Sequence, residues 1–217
     1  MPLPVVVVGA GAAGLLAALT AARRGIDVVL VESTEDGGRK ILISGGGRCN
    51  ILPKSRGSWP LAEQRAFFEA ELRVPLALET ETGKLFPSSQ RARDVRDGLV
   101  TRVREAGARI WFGARVIGLS NGAGVWTVDL HGAPPIEARA VIIATGGLSV
   151  PNTGSDGGGL SIVRSLGHEI NDTYPALTPL TGAPHPHASL AGVATDVTLR
   201  APGSKPPFST TGALLIT

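Results

Sequence analysis

The hydrophobic pattern opens on Val5-Val6-Val7-Val8, a β-branched apolar run that reads as a strand. Three glycines then intervene in Gly9-Ala10-Gly11-Ala12-Ala13-Gly14, after which Leu and Ala dominate to about Arg24. A tight turn and a helix account for that change, with Gly25 as the C-terminal stop. A second strand over Asp27–Val31 ends at Glu32. Further along, Ala62–Leu72 predicts a short helix, and Val95, Leu99, Val103 and Ala106 give Arg93–Ala106 one apolar face that Gly107 ends. Ile110–Leu119, Val125–Leu130 and Ile136–Val141 read as an antiparallel meander, with turns at Asn121-Gly122 and Gly132–Pro135. Val141–Ala144 then reads as a buried parallel strand, and Leu160–Leu166 as a helix that Asp156 caps and Gly167 ends. The last stretches, Val193–Leu199 and Gly212–Thr217, are again β-like.

The uncharged run Val5–Ala22 is 18 residues long, enough to raise a membrane span or a signal-peptide core. No Lys or Arg precedes it and Arg23-Arg24 follows it, which is the wrong flank for a signal peptide. Strand, turn and helix explain it better. Among 217 residues, 43% are hydrophobic and 18% charged, so an intrinsically disordered chain is excluded. The 21 basic and 18 acidic residues leave a charge of only +3. Arg91, Arg93, Arg96, Arg102 and Arg104 are interrupted by Asp94, Asp97 and Glu105, the pattern of a solvated helix face rather than a phosphate-tracking surface. Neither a nucleic-acid nor a membrane partner is expected. One Cys excludes a disulfide framework and suits a reducing, cytoplasmic setting.

Each glycine of the first turn has its own mechanical use. Gly9 permits the sharp exit from the strand, Gly11 lets backbone approach a pyrophosphate, and Gly14 allows close packing of helix on sheet. The helix start then offers free N–H groups and a positive dipole to the phosphates. Glu32 lies 18 residues after Gly14, where an acidic residue bonds the ribose hydroxyls of an adenosine. A carboxylate there repels a 2′-phosphate, so NADP is disfavoured while FAD and NAD both remain open.

A second glycine cluster spans Gly37 to Asn50. Gly45, Gly46 and Gly47 suit a ligand loop, with Arg39, Lys40 and Arg48 as cationic donors and Ser44 and Asn50 as neutral ones. Here the sequence GRKILISGGGRCN, directly after the GxGxxG unit, resembles the BaiN-like flavoproteins, also known as aminoacetone-oxidase-type or NAD(P)/FAD-dependent oxidoreductases. Lys84-Leu85-Phe86-Pro87, Ala144-Thr145-Gly146-Gly147-Leu148-Ser149-Val150-Pro151 and Pro175–Leu180 are similar to further segments of that family, in the same order. The resemblance implies that Gly9, Gly11, Ala13 and Gly14, with Glu32 and Ser33, hold the adenosine half of FAD. It places Arg39, Lys40, Ser44, Gly45, Gly46, Gly47, Arg48, Cys49 and Asn50 along the pyrophosphate and flavin. In two-dinucleotide flavoproteins a meander followed by an ATG-type strand returns to the cofactor sheet, which puts Val116 beside the adenine and Thr145 and Gly146 at the cofactor.

The expected fold class is α/β: a Rossmann-type FAD-binding domain, a parallel sheet with an antiparallel β-meander, over 1–177, then the start of a β-rich second domain over 178–217. The chain stops inside an apolar strand and relatives of the family are longer, so a truncated chain is expected. Cys49 has no partner for a dithiol relay and reads as a packed thiol, although Arg48 could lower its pKa. His168, His185 and His187 form no convincing metal site, and no metal is expected. The function expected is an FAD-dependent oxidoreductase moving hydride from a nicotinamide, NAD(P)H, or from another small reduced substrate. No catalytic acid or base is identified. An NAD-dependent dehydrogenase, or a non-catalytic nucleotide-binding fragment, are the alternatives.

Overall fold

The computed structural model describes residues 2–51, 61–81, 83–174, 188–190, 193–201, 203 and 205–215. Backbone contacts divide the chain into two units, Met1–Asp172 and Thr173–Thr217. In the first, β1 (Val5–Val8) leads through a turn into α1 (Ala12–Arg23), and β2 (Val28–Val31) is followed by α2 (Arg39–Ile43) and α3 (Leu61–Ala66). A hairpin of β3 (Leu76–Glu79) and β4 (Lys84–Pro87) precedes α4 (Ala92–Glu105) and β5 (Arg109–Trp111). The meander is β6 (Val116–Gly122), β7 (Val125–Leu130) and β8 (Ala133–Ala138), and β9 (Ala140–Ile143) and α5 (Gly158–Ser165) complete the unit.

The central sheet is parallel, in the order β5-β2-β1-β9, with Val5 opposite both Val28 and Ala140. A parallel sheet needs cover on both faces, which is why β1 and β2 are apolar at every position. Val7, Val28 and Leu30 pack on Leu15 and Leu19 of α1 and on Val95, Leu99 and Val103 of α4. Val6, Val8, Val29 and Val31 face the other way, onto Leu119, Val128 and Leu130 of the meander and Ile162 of α5. Val6 and Val7 are fully buried, each worth about 1.5–3 kcal/mol of apolar transfer. Helices, sheet and meander therefore form three layers.

Several sequence expectations are corrected. The single strand over Ile110–Leu119 is two: β5 joins the parallel sheet, the chain turns through Phe112–Arg115, and β6 joins the meander. The β6–β7 turn is Ala123-Gly124, both at positive φ, rather than Asn121-Gly122, which extends β6. Positive φ at both turn residues matches the twist of a two-residue hairpin. Pro134 and Pro135 lie inside β8 instead of a turn; among the described residues β8 pairs only with β7, and an edge strand tolerates the missing N–H groups. The strand β9 is half-buried, with Ile142 38% exposed, because it is the sheet's edge. The β3–β4 hairpin has no counterpart in the sequence reading, and Gly37–Asn50 contains a helix, α2, and a 3-10 turn over Ser44–Gly47 where a loop was expected.

No helix among the described residues is long and apolar enough to cross a membrane, and Val5–Ala22 is strand, turn and helix. The second unit contains a 3-10 turn, Ala188–Leu190, and an antiparallel hairpin of β10 (Ala194–Ala201) and β11 (Phe208–Leu215), with Thr198 and Thr211 hydroxyls 3.0 Å apart. The expected boundary at 177/178, the Pro175–Leu180 segment, His185, His187, Ile216 and Thr217 lie outside the described residues.

Candidate functional site

The β1–α1 turn is built on close backbone approach. Gly9 has φ +101°, and a Cβ on it would sit 2.7 Å from the Ala144 carbonyl oxygen. A Cβ on Gly14 would lie 1.8 Å from the Gly9 carbonyl oxygen, so the helix can turn back onto β1 only without a side chain there. Gly11 differs: a Cβ there would meet nothing within 4 Å. It is the N-cap of α1, no side chain caps the helix, and no acidic residue lies in the first turn. The first N–H groups of α1 are thus left for something outside the helix.

Glu32, at the end of β2, is buried. Its Oε1 accepts from the Thr34 N–H and the Thr34 hydroxyl, both at 2.8 Å, and from the Ser33 hydroxyl at 3.3 Å. Its Oε2 accepts the Ala10 N–H at 2.7 Å. Among the described residues that is the one donor on Oε2, and a carboxylate oxygen has a second lone pair to offer.

Beyond Glu32 the chain is tied back to the first turn, the Gly38 N–H donating to the Ala10 carbonyl at 2.8 Å. Arg96 of α4 fixes this crossing. Its side chain is only 8% exposed, and Nη1 donates to the carbonyls of Asp36 and Gly37 and to Asp36 Oδ2, at 3.2, 3.4 and 3.3 Å. The hydrogen bond from Arg39, with its charge and that of Arg96 behind it, holds the Asp36 carboxyl below its usual value against partial burial. The expected solvated arginine face is therefore corrected at Arg96, which reaches inward because Gly38 leaves room: a Cβ on Gly38 would stand 2.5 Å from Arg96 Cγ.

On α2, Lys40 is half-buried, and its side chain makes no hydrogen bond or ion pair among the described residues. Arg39 is held by Asp36 at 3.0 Å. Arg48 turns away: it pairs with Glu79 at 2.9 Å and stacks 4.2 Å above the Phe86 ring. Cys49 is buried, the packed thiol read from the sequence, and burial pushes its pKa up despite a hydrogen bond with Ser44.

These elements surround a cleft of about 810 Å³ at the C-terminal ends of β1 and β2. Gly9, Gly11, Ala13, Glu32 and Ser33 line one part of it. Arg39, Lys40, Ser44, Cys49 and Asn50 line a second, and Val116, Thr145 and Gly146 a third. Of the sequence-derived candidates, Gly14, Gly45, Gly46, Gly47 and Arg48 are not in its wall. Gly14 is packed beneath the turn and Arg48 is committed to Glu79 and Phe86. Lining residues that sequence reasoning did not assign include Thr34, Arg115, Ser155 and Asp156. The glycine-dense run from Gly154 to Gly159 was a signal for the last two; nothing marked Arg115. The expected cap of α5 is corrected in position: Gly157 is the N-cap, and Asp156, one residue earlier, accepts the Gly158 N–H on Oδ1 at 3.0 Å.

A family profile described as the HI0933-like protein Rossmann domain matches residues 3–73 and 58–213. The 3-dehydro-bile acid delta(4,6)-reductase of Clostridium scindens is 34% identical over 211 residues, 90% of this chain and 51% of that protein. The ribosomal RNA dihydrouridine synthase of Escherichia coli K12 is 30% identical over 192 residues, covering 81% and 47%. The chain spans about half the length of these relatives. Among solved structures, Thermovibrio ammonificans THI4 is similar in fold, with a TM-score of 0.53 at 18% identity over 77% of this chain and 64% of that one.

Proposed function

The chain belongs to the HI0933-like Rossmann-domain family, and on that premise we propose that it binds FAD in the cleft, as the nucleotide-holding part of a flavin-dependent oxidoreductase. One observation carries the reading: an uncapped helix start, a buried carboxylate with a lone pair to spare and an unpaired lysine all border the same 810 Å³ space. That size falls within the range of sites for extended small ligands. Each group suits one portion of the cofactor. The α1 amides and Gly11 receive the pyrophosphate, Glu32 Oε2 accepts from a ribose hydroxyl, and Val116 borders the adenine. Lys40, Ser44, Asn50, Thr145 and Gly146 serve the remainder, Lys40 as a cation for phosphate or for the electron-rich edge of the ring.

FAD supplies hydride and electron transfer when bound. The residues of this chain bind and orient it, and the apolar walls exclude water. A substrate-side acid or base is not assigned among them. The reductase named for the Clostridium scindens relative supports an oxidoreductase reading. NAD(P)H or another small reduced molecule is the proposed donor. A nucleic-acid partner is not proposed, because Arg96 and Arg102 of α4 are engaged with Asp36, Asp97 and Glu105 rather than presented as a bare cationic track. The name of the Escherichia coli relative makes uridine in RNA the competing substrate, and tight RNA binding with a steep salt dependence would favour it. A cytoplasmic setting is proposed on the single unpaired Cys.

The test is the visible spectrum of the purified chain before and after addition of FAD. Perturbed oxidised-flavin bands that stay with the protein on gel filtration are expected. Stabilisation by NAD and not by FAD would replace this reading with a nicotinamide-dependent dehydrogenase.

A further inference from the structure

The segment Thr153–Asp156 and the β5–β6 connection both close on Glu32. A Cβ on Gly154 would be 3.9 Å from Glu32 Oε1 and 3.8 Å from the Ser33 hydroxyl. The Ala114 N–H donates to the Glu32 carbonyl at 2.9 Å, one residue before Arg115. Where these two strands of chain meet, Arg115 Nη2 contacts Asp156 Oδ2 at 2.6 Å, and the other oxygen of the same carboxylate accepts the Gly158 N–H at the start of α5. The guanidinium itself reaches the helix start, within 3.7 Å of a Cβ built on Gly158. One internal carboxylate thus bridges an arginine and a helix-start amide, the two donors that would otherwise take an external anion.

We propose that Asp156 and Arg115 set the ribose specificity of the cleft: Asp156 occupies in cis the anion position formed by Arg115 and the start of α5, and so excludes a nucleotide carrying a 2′-phosphate. The proposal rests on the nucleotide reading of the cleft. Glu32 disfavours a 2′-phosphate by its own charge, and Asp156 pairs with Arg115, a cation of the same cleft wall that could otherwise compensate. Exclusion here comes from a filled anion position as much as from repulsion. Both residues line the cleft and both are partly exposed, so neither is needed as a core packing element.

The experiment is displacement of FAD by adenosine 5′-monophosphate and by adenosine 2′,5′-bisphosphate, which differ only at the 2′ position, read by flavin fluorescence. The unaltered chain is expected to prefer the monophosphate. Asp156→Ala is expected to shift the affinity ratio about tenfold toward the bisphosphate, the scale of one charge-assisted hydrogen bond. Adding Arg115→Ala to Asp156→Ala should abolish the shift. Should Asp156→Ala not fold, Asp156→Asn keeps the Gly158 acceptor, removes the charge and should shift the ratio in the same direction. An unchanged ratio in a variant that still binds FAD overturns the proposal. Failure of the unaltered chain to bind FAD overturns the nucleotide reading of the cleft, and this proposal with it.

Discussion

The backbone N–H of Ala10 donates to Glu32 Oε2 at 2.7 Å, joining the β1–α1 turn to the end of β2 across 22 residues. The bond fixes the turn that faces the cleft and orients the oxygen proposed for ribose. Glu32→Gln preserves shape but must set an amide N–H₂ against either the Ala10 N–H or the Thr34 donors. A buried donor facing a donor costs about 1–3 kcal/mol. Urea unfolding should show that loss, and FAD affinity should fall about tenfold with it. Unchanged midpoint and affinity would remove Glu32 from both roles.

Gly11 and Gly14 should separate binding from folding. A methyl on Gly14 would collide with the Gly9 carbonyl oxygen, whereas one on Gly11 enters open cleft at φ −73°. Gly14→Ala is expected to destabilise the chain by at least about 2 kcal/mol, the cost of overpacking. Gly11→Ala is expected to keep the melting temperature of the parent while losing FAD, because its methyl takes the space of the pyrophosphate. Equal melting losses in the two variants would contradict the assignment.

Acid stability should depend on Asp36 and Asp156. Arg39 lowers the Asp36 pKa first by hydrogen bond, and the Gly158 N–H and then Arg115 lower that of Asp156, each below the usual carboxylate range. A carboxyl with a depressed folded-state pKa adds stability above its unfolded value, and that stability is lost as pH falls through the folded one. The stability of the parent should therefore drop below about pH 4 more steeply than that of Asp36→Asn/Asp156→Asn. Both groups are partly exposed, so added salt should narrow the difference. Parallel acid profiles would show that neither ion pair persists in solution.

The parts of this fold legible in the sequence were those in which one local pattern has one cause. Four valines before a glycine-rich turn specify β1, and Glu32 follows from the length of the β1-α1-β2 unit. Arg96 was not legible, because its position in an alternating charged helix looks the same whether it faces water or the Asp36–Gly38 crossing. Arg48 sits within the glycine cluster, yet Glu79 and Phe86, 31 and 38 residues away in sequence, draw it out of the cleft. The break between β5 and β6 was hidden for a related reason. Apolar residues run through it, and only pairing with β2 on one side and β7 on the other separates the strands. Such long-range partners leave no periodic trace.

Arg96 is accordingly the sharpest test of how the cleft is held. Its guanidinium is buried, and it supplies the Asp36 and Gly37 carbonyls and the Asp36 carboxylate with donors. Arg96→Met retains the apolar stem but strands those acceptors, at a cost of about 3–5 kcal/mol for a broken buried ion pair, reduced here because Asp36 itself is partly exposed. Arg96→Lys should recover only part, since a single ammonium cannot reproduce the planar fork. The Asp36–Gly38 crossing leads directly into α2, so Lys40 should be displaced and FAD affinity should fall in the same order, Arg96 above Lys above Met. A thermal melt and an FAD titration on the three proteins measure both effects. If Arg96→Met melts with the parent, the crossing is held by the Gly38–Ala10 hydrogen bond alone. If it melts lower yet binds FAD equally well, α2 is positioned independently of α4.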